Sequence, residues 1–193
     1  MSPTDSITSH RLVILLTGRP GIGKTTVIRR LAELLPGQAI AGFYTDEIRV
    51  AEQRQGFRVT AFSGTTGILA HTKTRVPHHV GRYGVDVDTF ERIALPELAR
   101  LADVLLIDEI GKMECFSLRF VHAVRKALDG SMPLVATVAL SGSGFIAEVK
   151  DRPDAEFRQV TAQNRDKLPT QLAERIISAT GGWSALRRDC TSS

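Results

Sequence analysis

Cysteine is nearly absent: Cys115 and Cys190 are the whole supply, and they lie far apart in the 193-residue chain. Two such residues form neither a metal-ligand spacing nor a disulfide framework, so a reduced, cytoplasmic protein is expected. Long hydrophobic runs are absent too. The apolar stretches 12–16 and 104–107 fall far short of the roughly 18 residues that suggest a membrane span. Residues 1–10 are polar and carry Asp5 where a secretory leader needs a positive start and then an apolar stretch, and they are expected to form a flexible tail. No basic run accompanies the formal net charge of +4, so neither a nucleic acid nor a membrane is an expected partner. Repeats and low-complexity segments are missing as well. With 42% hydrophobic and 24% charged residues, the composition is that of an ordinary globular chain. The length suits one domain, expected over 11–186, followed by a loose C-terminal tail at 187–193.

What is present is a set of short, continuous apolar runs. Leu12-Val13-Ile14-Leu15-Leu16, Val104-Leu105-Leu106-Ile107 and Leu134-Val135-Ala136-Thr137-Val138 read as strands buried on both faces, the habit of parallel sheets covered by helices. Helical spacing follows at 24–35, 89–101 and 116–128, and shorter elements are expected at 145–150 (helix), 157–161 (strand) and 170–179 (helix). Strands alternating with helices predict an α/β fold with a mainly parallel central sheet. The stretch 41–88 departs from this pattern, because Phe57, Val59 and Ala61 alternate with Arg58, Thr60 and Phe62. It reads as a β-rich insertion, with strands at 43–48, 56–63 and 80–87 and turns at 53–56 and 63–67. Trp183 is expected to pack the last helix against the body.

After the first strand, Gly18-Arg19-Pro20-Gly21-Ile22-Gly23-Lys24-Thr25 fits the pattern G-x-x-x-x-G-K-[ST] and opens an amphipathic helix. Glycines let successive backbone N–H groups turn inward toward phosphates, at the positive end of a helix. Lys24 is then expected on the β- and γ-phosphates, and the Thr25 hydroxyl on Mg²⁺. The rest of the loop, with Thr26, is expected to bind nucleotide. No G-x-G-x-x-G can be drawn through Gly18, Gly21 and Gly23, which excludes the dinucleotide fingerprint.

Asp108-Glu109 follows the second apolar strand, so two carboxylates stand at the carboxyl edge of the sheet, where ligands of open α/β folds bind. Asp108 is expected to hold the metal, and Glu109 to orient or deprotonate an attacking water. Gly111 and Lys112 could also face a γ-phosphate. No N-K-x-D guanine signature is present, and Asn164-Arg165-Asp166 lacks its spacing. His78-His79 suggests a metal pair, but adjacent residues on a strand point to opposite faces, so surface or loop roles are expected.

Together these residues make the chain resemble the THEP1-type nucleoside triphosphatases, a P-loop family. The likeness spans nearly the whole chain and rests on residues 17–26, Gly42-Phe43-Tyr44-Thr45 with Glu47 and Arg49, Val80-Gly81-Arg82-Tyr83, 108–114 and Asn164-Arg165. The resemblance implies a three-layer sandwich related to RecA and AAA+ domains. It also implies slow Mg²⁺-dependent hydrolysis of nucleoside triphosphates (ATP, GTP, CTP and UTP) to diphosphate and phosphate, by a protein expected to be monomeric. Carried over to matching positions, it supports Lys24 and Thr25 on phosphate and metal, Asp108 on metal and Glu109 on water. Asn164 and Arg165 become candidates for nucleotide contact, and Glu47 and Glu114 candidates for the carboxylate cluster or for structural ion pairs. No arginine finger can be assigned, which predicts turnover below ~1 s⁻¹. Two other readings share the phosphate loop: a small-molecule or nucleotide kinase with Arg152, Arg158 and Arg165 as a lid, and a nucleotide-dependent switch.

Overall fold

The computed structural model describes residues 11–189, with 181–189 described by backbone alone. The expected N-terminal tail and the packing of Trp183 therefore lie outside the described residues and side chains. In chain order the elements are β1 (Val13–Thr17), α1 (Lys24–Glu33), β2 (Ile40–Val50), β3 (Gln53–Ala61), β4 (Thr66–His71), β5 (His79–Val80), β6 (Tyr83–Val85) and α2 (Val87–Ala99). They continue with β7 (Val104–Ile110), a 3-10 turn (Glu114–Phe116), α3 (Leu118–Asp129), β8 (Leu134–Val138), α4 (Phe145–Lys150), β9 (Glu156–Gln159) and α5 (Leu168–Asp189). The last helix thus enters the stretch expected to be a tail.

Side-chain parity along the central strands builds three layers. Val13 and Leu15 of β1 join one buried cluster with Leu105, Ile107, Leu134 and Ala136, while Ile14 and Leu16 join Val104, Leu106 and Val135 in another. The first cluster is closed by Phe90 and Ile93 of α2, Phe120 and Val124 of α3, and Ile146 and Val149 of α4. The second is closed by Val27, Ile28 and Leu31 of α1 with Leu168, Leu172 and Ile176 of α5. Each such side chain, once fully buried, stabilises the fold by about 1.5–3 kcal/mol, so a strand that faces two helical layers contributes from both sides. Aspartate and serine at helix starts fix the register of the covering layer: Thr89 N donates to Asp86 Oδ1 at 2.9 Å and Phe120 N to Ser117 Oγ at 2.9 Å.

The described strands form one nine-stranded sheet, in the order β5-β6-β4-β3-β2-β7-β8-β1-β9. From β2 to β9 the pairings are parallel; from β2 outward to β5 they are antiparallel. The α/β expectation and its three central strands hold, and the β-rich insertion extends the same sheet. Several boundaries inside it differ from those expected. Residues 53–56 lie in β3, and the turn sits at Ala51 and Glu52, both at positive φ, between the paired Val50 and Gln53. Residues 66–71 make a strand where a turn was expected to end, and 80–87 splits into β5, a turn at Gly81-Arg82, β6 and the start of α2.

Strand β2 carries the switch between the two pairing modes. Its residues Ile40 to Phe43 run parallel to β7, and from Phe43 onward it runs antiparallel to β3. At the switch Gly42 has φ 113°, and a Cβ there would lie 1.8 Å from the Leu106 carbonyl oxygen. Its N–H donates at 2.9 Å to Glu97, which is only 3% exposed, and Arg100 donates both to Glu97 at 3.0 Å and to the Ile40 carbonyl. A carboxylate from α2 thereby satisfies the N–H that the strand cannot use. Gly42→Ala should therefore lower unfolding free energy by about 2–5 kcal/mol, from backbone strain and overpacking together, as measured by chemical denaturation.

Candidate nucleotide site

The loop between β1 and α1 has the shape that its glycines permit. Gly21 and Gly23 have φ of 76° and 110°, and Gly23 forms the left-handed N-cap from which α1 starts. Ile22 N donates to Arg19 O at 3.2 Å and Val27 N to Gly23 O at 3.0 Å, so the loop closes directly into the helix. Arg19, Pro20, Gly21 and Thr26 are exposed, whereas Lys24 is 9% exposed. The Lys24 ammonium folds back over the loop, 3.4 Å from Gly18 O and 3.5 Å from Glu109 Oε2.

Strand parity aims the acidic end of β7 at the same place. Leu106 faces the layer of α1, so Asp108, two residues on, faces it too; on β8 the same reasoning turns Thr137 that way after Val135. Asp108 is 1% exposed and accepts hydrogen bonds from Thr25 Oγ1 at 2.6 Å, Thr137 Oγ1 at 2.6 Å and Thr45 N at 3.5 Å. Lys24 and Thr25 at the start of α1 and Asp108 and Glu109 near the end of β7 are thus brought together. Burial raises the Asp108 pKa, against the pull of the hydroxyls of Thr137 and Thr25. Burial also raises Glu109, with Lys24 opposing and Asp108 adding to the rise. The donors around Asp108 are hard hydroxyl and carboxylate oxygens, which suits Mg²⁺ and gives a buried carboxylate a reason to be there.

Two residues of this group, Thr137 and Thr45, are not among the expected site residues. Thr137 is the one polar side chain in β8, and that alone marks it; Thr45 acts through its backbone. Glu114 does enter the carboxylate cluster. It is 6% exposed, and a Cβ on Gly111 would lie 2.8 Å from its Oε2 and 3.4 Å from Glu109 Oε1. Glu47, in contrast, is an ion-pair partner of Arg49 and Arg54, both at 2.6 Å.

Arg165 is brought to the phosphate loop, donating to Ile22 O at 3.2 Å. Asn164 spends both ends of its amide on its own loop, accepting from Thr161 N and donating to Gln159 O, each at 2.8 Å. Lys112 is exposed. The three arginines of the supposed kinase lid have separate employments. Arg152 pairs with Asp129, ahead of β8 at the opposite end of the strands from the loop; Arg158 pairs with Glu156; Arg165 holds Ile22. His78 stacks on Phe116 at 4.7 Å, and the His79 ring meets Pro77 O at 3.4 Å. Grooves of about 490 Å³ by Tyr44 and Phe62, and about 600 Å³ by Glu91 and Arg119, include none of the converging residues, so chemistry places the site where groove volume does not.

Thr137→Val tests the anchoring of Asp108. It removes one donor while keeping the shape, leaves Oδ1 of a buried carboxylate unsatisfied, and should cost about 1–3 kcal/mol in thermal or chemical unfolding.

A sequence-family model described as NTPase matches residues 13–173. The nucleoside-triphosphatase THEP1 of Thermotoga maritima is 40% identical over 162 residues, covering 82% of this chain and 92% of that protein. The human cancer-related nucleoside-triphosphatase is 40% identical over 188 residues, covering 86% and 97%. The crystal structure of THEP1 from the hyperthermophile Aquifex aeolicus superposes with a TM-score of 0.78 at 33% identity, over 86% of this chain and 99% of that one. The solution structure of the human protein gives 0.73 at 34% identity, over 86% and 98%. Among the described residues, no helix is long and apolar enough to cross a membrane. With its phosphate loop, buried aspartate and adjoining glutamate set as described, and with these matches over most of its length, the chain belongs to the NTPase family that includes the THEP1 proteins.

Proposed function

We propose that the chain hydrolyses nucleoside triphosphates, ATP, GTP, CTP and UTP among them, to diphosphate and phosphate with Mg²⁺, using Lys24 and Glu109 as its catalytic groups. The observation that carries this reading is the Lys24–Glu109 contact of 3.5 Å beside an Asp108 bound to Thr25. The loop N–H groups and the start of α1 offer donors and positive potential to the phosphates. Lys24 would exchange its present partners, Gly18 O and Glu109, for β- and γ-phosphate oxygens. Glu109 is then released beside the γ-phosphate, and its raised pKa suits a carboxylate that must take a proton. Water attacks the γ-phosphorus, its proton passes to Glu109, and the bond to the β–γ bridging oxygen breaks, giving diphosphate and phosphate. Thr25 and Asp108 would hold Mg²⁺. When bound, the ion neutralises charge on the β- and γ-oxygens.

Among the described residues, the hydrogen-bond and ion-pair partners of Lys24, Asp108 and Glu109 include no arginine. Without an arginine finger, which can be worth 10³–10⁵ in rate, turnover below ~1 s⁻¹ is the natural outcome. Asn164 fits best as the brace of the loop that presents Arg165, and Arg165 as the nucleotide contact from that loop.

The test is phosphate release from each of the four nucleotides with no second substrate. Glu109→Gln should keep nucleotide affinity within about threefold and lower release by roughly 10²–10⁴. Lys24→Ala should weaken binding by at least about tenfold as well. Phosphate release that required an added acceptor would sink the reading.

A further inference from the structure

Beyond the switch in β2 the sheet has one covered face and one open face. Val59, Ala61, Leu69 and Val85 are buried in one cluster with Phe90 and Ile93 of α2. Alternate positions turn Arg58, Thr60, Thr66 and Ile68 the other way, where Thr60 is partly exposed and Ile68 is 47% exposed. At the inner end of this open face Tyr44 and Phe62 meet with 5.5 Å between ring centroids, and the Arg29 guanidinium lies 5.1 Å from the Tyr44 ring. The two rings line the groove of about 490 Å³ beside α1. At the outer end the chain folds back over β6. Tyr83 and Val85 face the covered side, so the absent Cβ of Gly84 points to the open one, where it would lie 2.2 Å from Thr74 O. Lys73 and Arg75, on either side of Thr74, are thereby set beside the same face.

The charge of the chain is concentrated in this part of the sheet. Residues 43–85 hold six basic and three acidic residues, a net +3 of the formal +4 of the whole chain. Arg49 and Arg54 are engaged by Glu47, and Arg82 donates to Arg54 O at 2.5 Å. Arg58, Lys73 and Arg75 are exposed, and among the described residues they form no ion pair. Of the acids near the open face, Asp46 is held by Arg29 at 3.3 Å, and Glu33 of α1 borders the groove. The three unpaired cations stand apart in sequence, so no basic run announces them; the pairing of β3 with β4 and the fold of 72–78 over β6 bring them to one face.

We propose that this open face binds single-stranded nucleic acid, with a base against Phe62 and Tyr44 in the groove and phosphates on Arg58, Lys73 and Arg75. Rings and cations together select that partner. A single strand offers free base faces to aromatic side chains and a phosphate chain to the cations. A duplex keeps its base faces stacked on one another, and an anionic membrane surface has no planar group for the rings. The rings read no base edge, so binding is tolerant of sequence.

The test uses the full-length protein with MgADP present, so that the phosphate loop offers no competing site. Binding of labelled oligothymidylate and oligouridylate, each of about 20 nucleotides, is followed by fluorescence anisotropy between about 50 and 200 mM salt. Three phosphate contacts on a single strand should make log K fall with log salt at a slope of about −2. The combined variant Arg58→Gln, Lys73→Gln, Arg75→Gln should bind at least about tenfold more weakly at the lowest salt, with a slope near zero. Phe62→Leu keeps the apolar bulk but loses the ring, and should bind about fivefold or more weakly with the slope unchanged. Arg119→Gln, on α3 across the sheet, should change neither quantity.

Binding of either strand with this pattern supports the proposal. Wild type that binds neither strand overturns it, as does a combined variant with wild-type affinity and slope, or a folded Phe62→Leu with wild-type affinity. A duplex of the same length bound as tightly as the single strand also counts against it. So does binding of phosphatidylserine vesicles in place of either strand, which would assign the cations to a membrane. If Phe62→Leu fails to fold, the combined variant and the duplex comparison still decide the matter.

Discussion

A carboxylate buried to 1% exposure survives in a protein interior only if other groups replace the water it has lost, and Asp108 collects three replacements from three different elements. Thr25 comes from α1, Thr137 from β8, and the Thr45 N–H from β2, while Asp108 itself ends the apolar half of β7. Those contacts fix the start of α1 against the sheet, and with it the glycine loop that precedes the helix. If α1 rotated or slid, Thr25 would leave Asp108 unsatisfied, and the cost of a buried polar group without a partner would fall on the whole edge of the sheet. Rigidity at the phosphate loop is therefore a consequence of polar satisfaction as much as of hydrophobic packing.

The same burial creates an electrostatic conflict. Asp108, Glu109 and Glu114 are three acids in one dry region, and each has its pKa raised, with burial the leading cause in every case. Among the described residues Lys24 is the cation that pairs with this group, at 3.5 Å from Glu109, and it also lies near the Gly18 carbonyl. The arrangement is thus short of positive charge before a substrate arrives. Under the proposed mechanism Lys24 then turns to the phosphates, and the carboxylates are left to the metal and to water. A site with surplus acid can accept both a divalent cation and a proton, which are what hydrolysis at a metal-bound triphosphate supplies.

Much of this was legible in the residues. The runs around Val13, Val104 and Leu134 named the central strands because a strand buried on both faces has no need to alternate, and the phosphate loop and Asp108-Glu109 stood at their ends. Thr137 left a faint mark as the polar residue of an otherwise apolar strand. Thr45 stands only in the Gly42-Phe43-Tyr44-Thr45 block of the resemblance, with no role attached, since a backbone N–H has no sequence signature of its own. The first hairpin turn differs from the expected one because it uses Ala51 and Glu52 at positive φ, where glycine or asparagine is the ordinary marker, and Gly56, which draws the expected turn toward itself, lies within β3. Strand β4 escapes the sequence pattern for a different reason. Ile68 is 47% exposed while Leu69 and Ala70 are buried, and that sequence of burial has no period of two to detect.

Seen from β2, the insertion belongs to the site's architecture. The strand leaves β7 after Phe43 and continues past the edge of the parallel sheet, and Thr45, whose N–H reaches Asp108, stands just beyond that point. What lets the strand leave is Gly42, which passes so close to Leu106 that no side chain fits, with its N–H taken by Glu97. The buried Glu97 in turn leans on Arg100, which also caps the Ile40 carbonyl. A change at α2, remote from the phosphate loop in sequence, would therefore be transmitted along β2 to the backbone group that helps hold Asp108. The antiparallel half of the sheet and the catalytic edge are two ends of one strand, so the position of Asp108 depends on both.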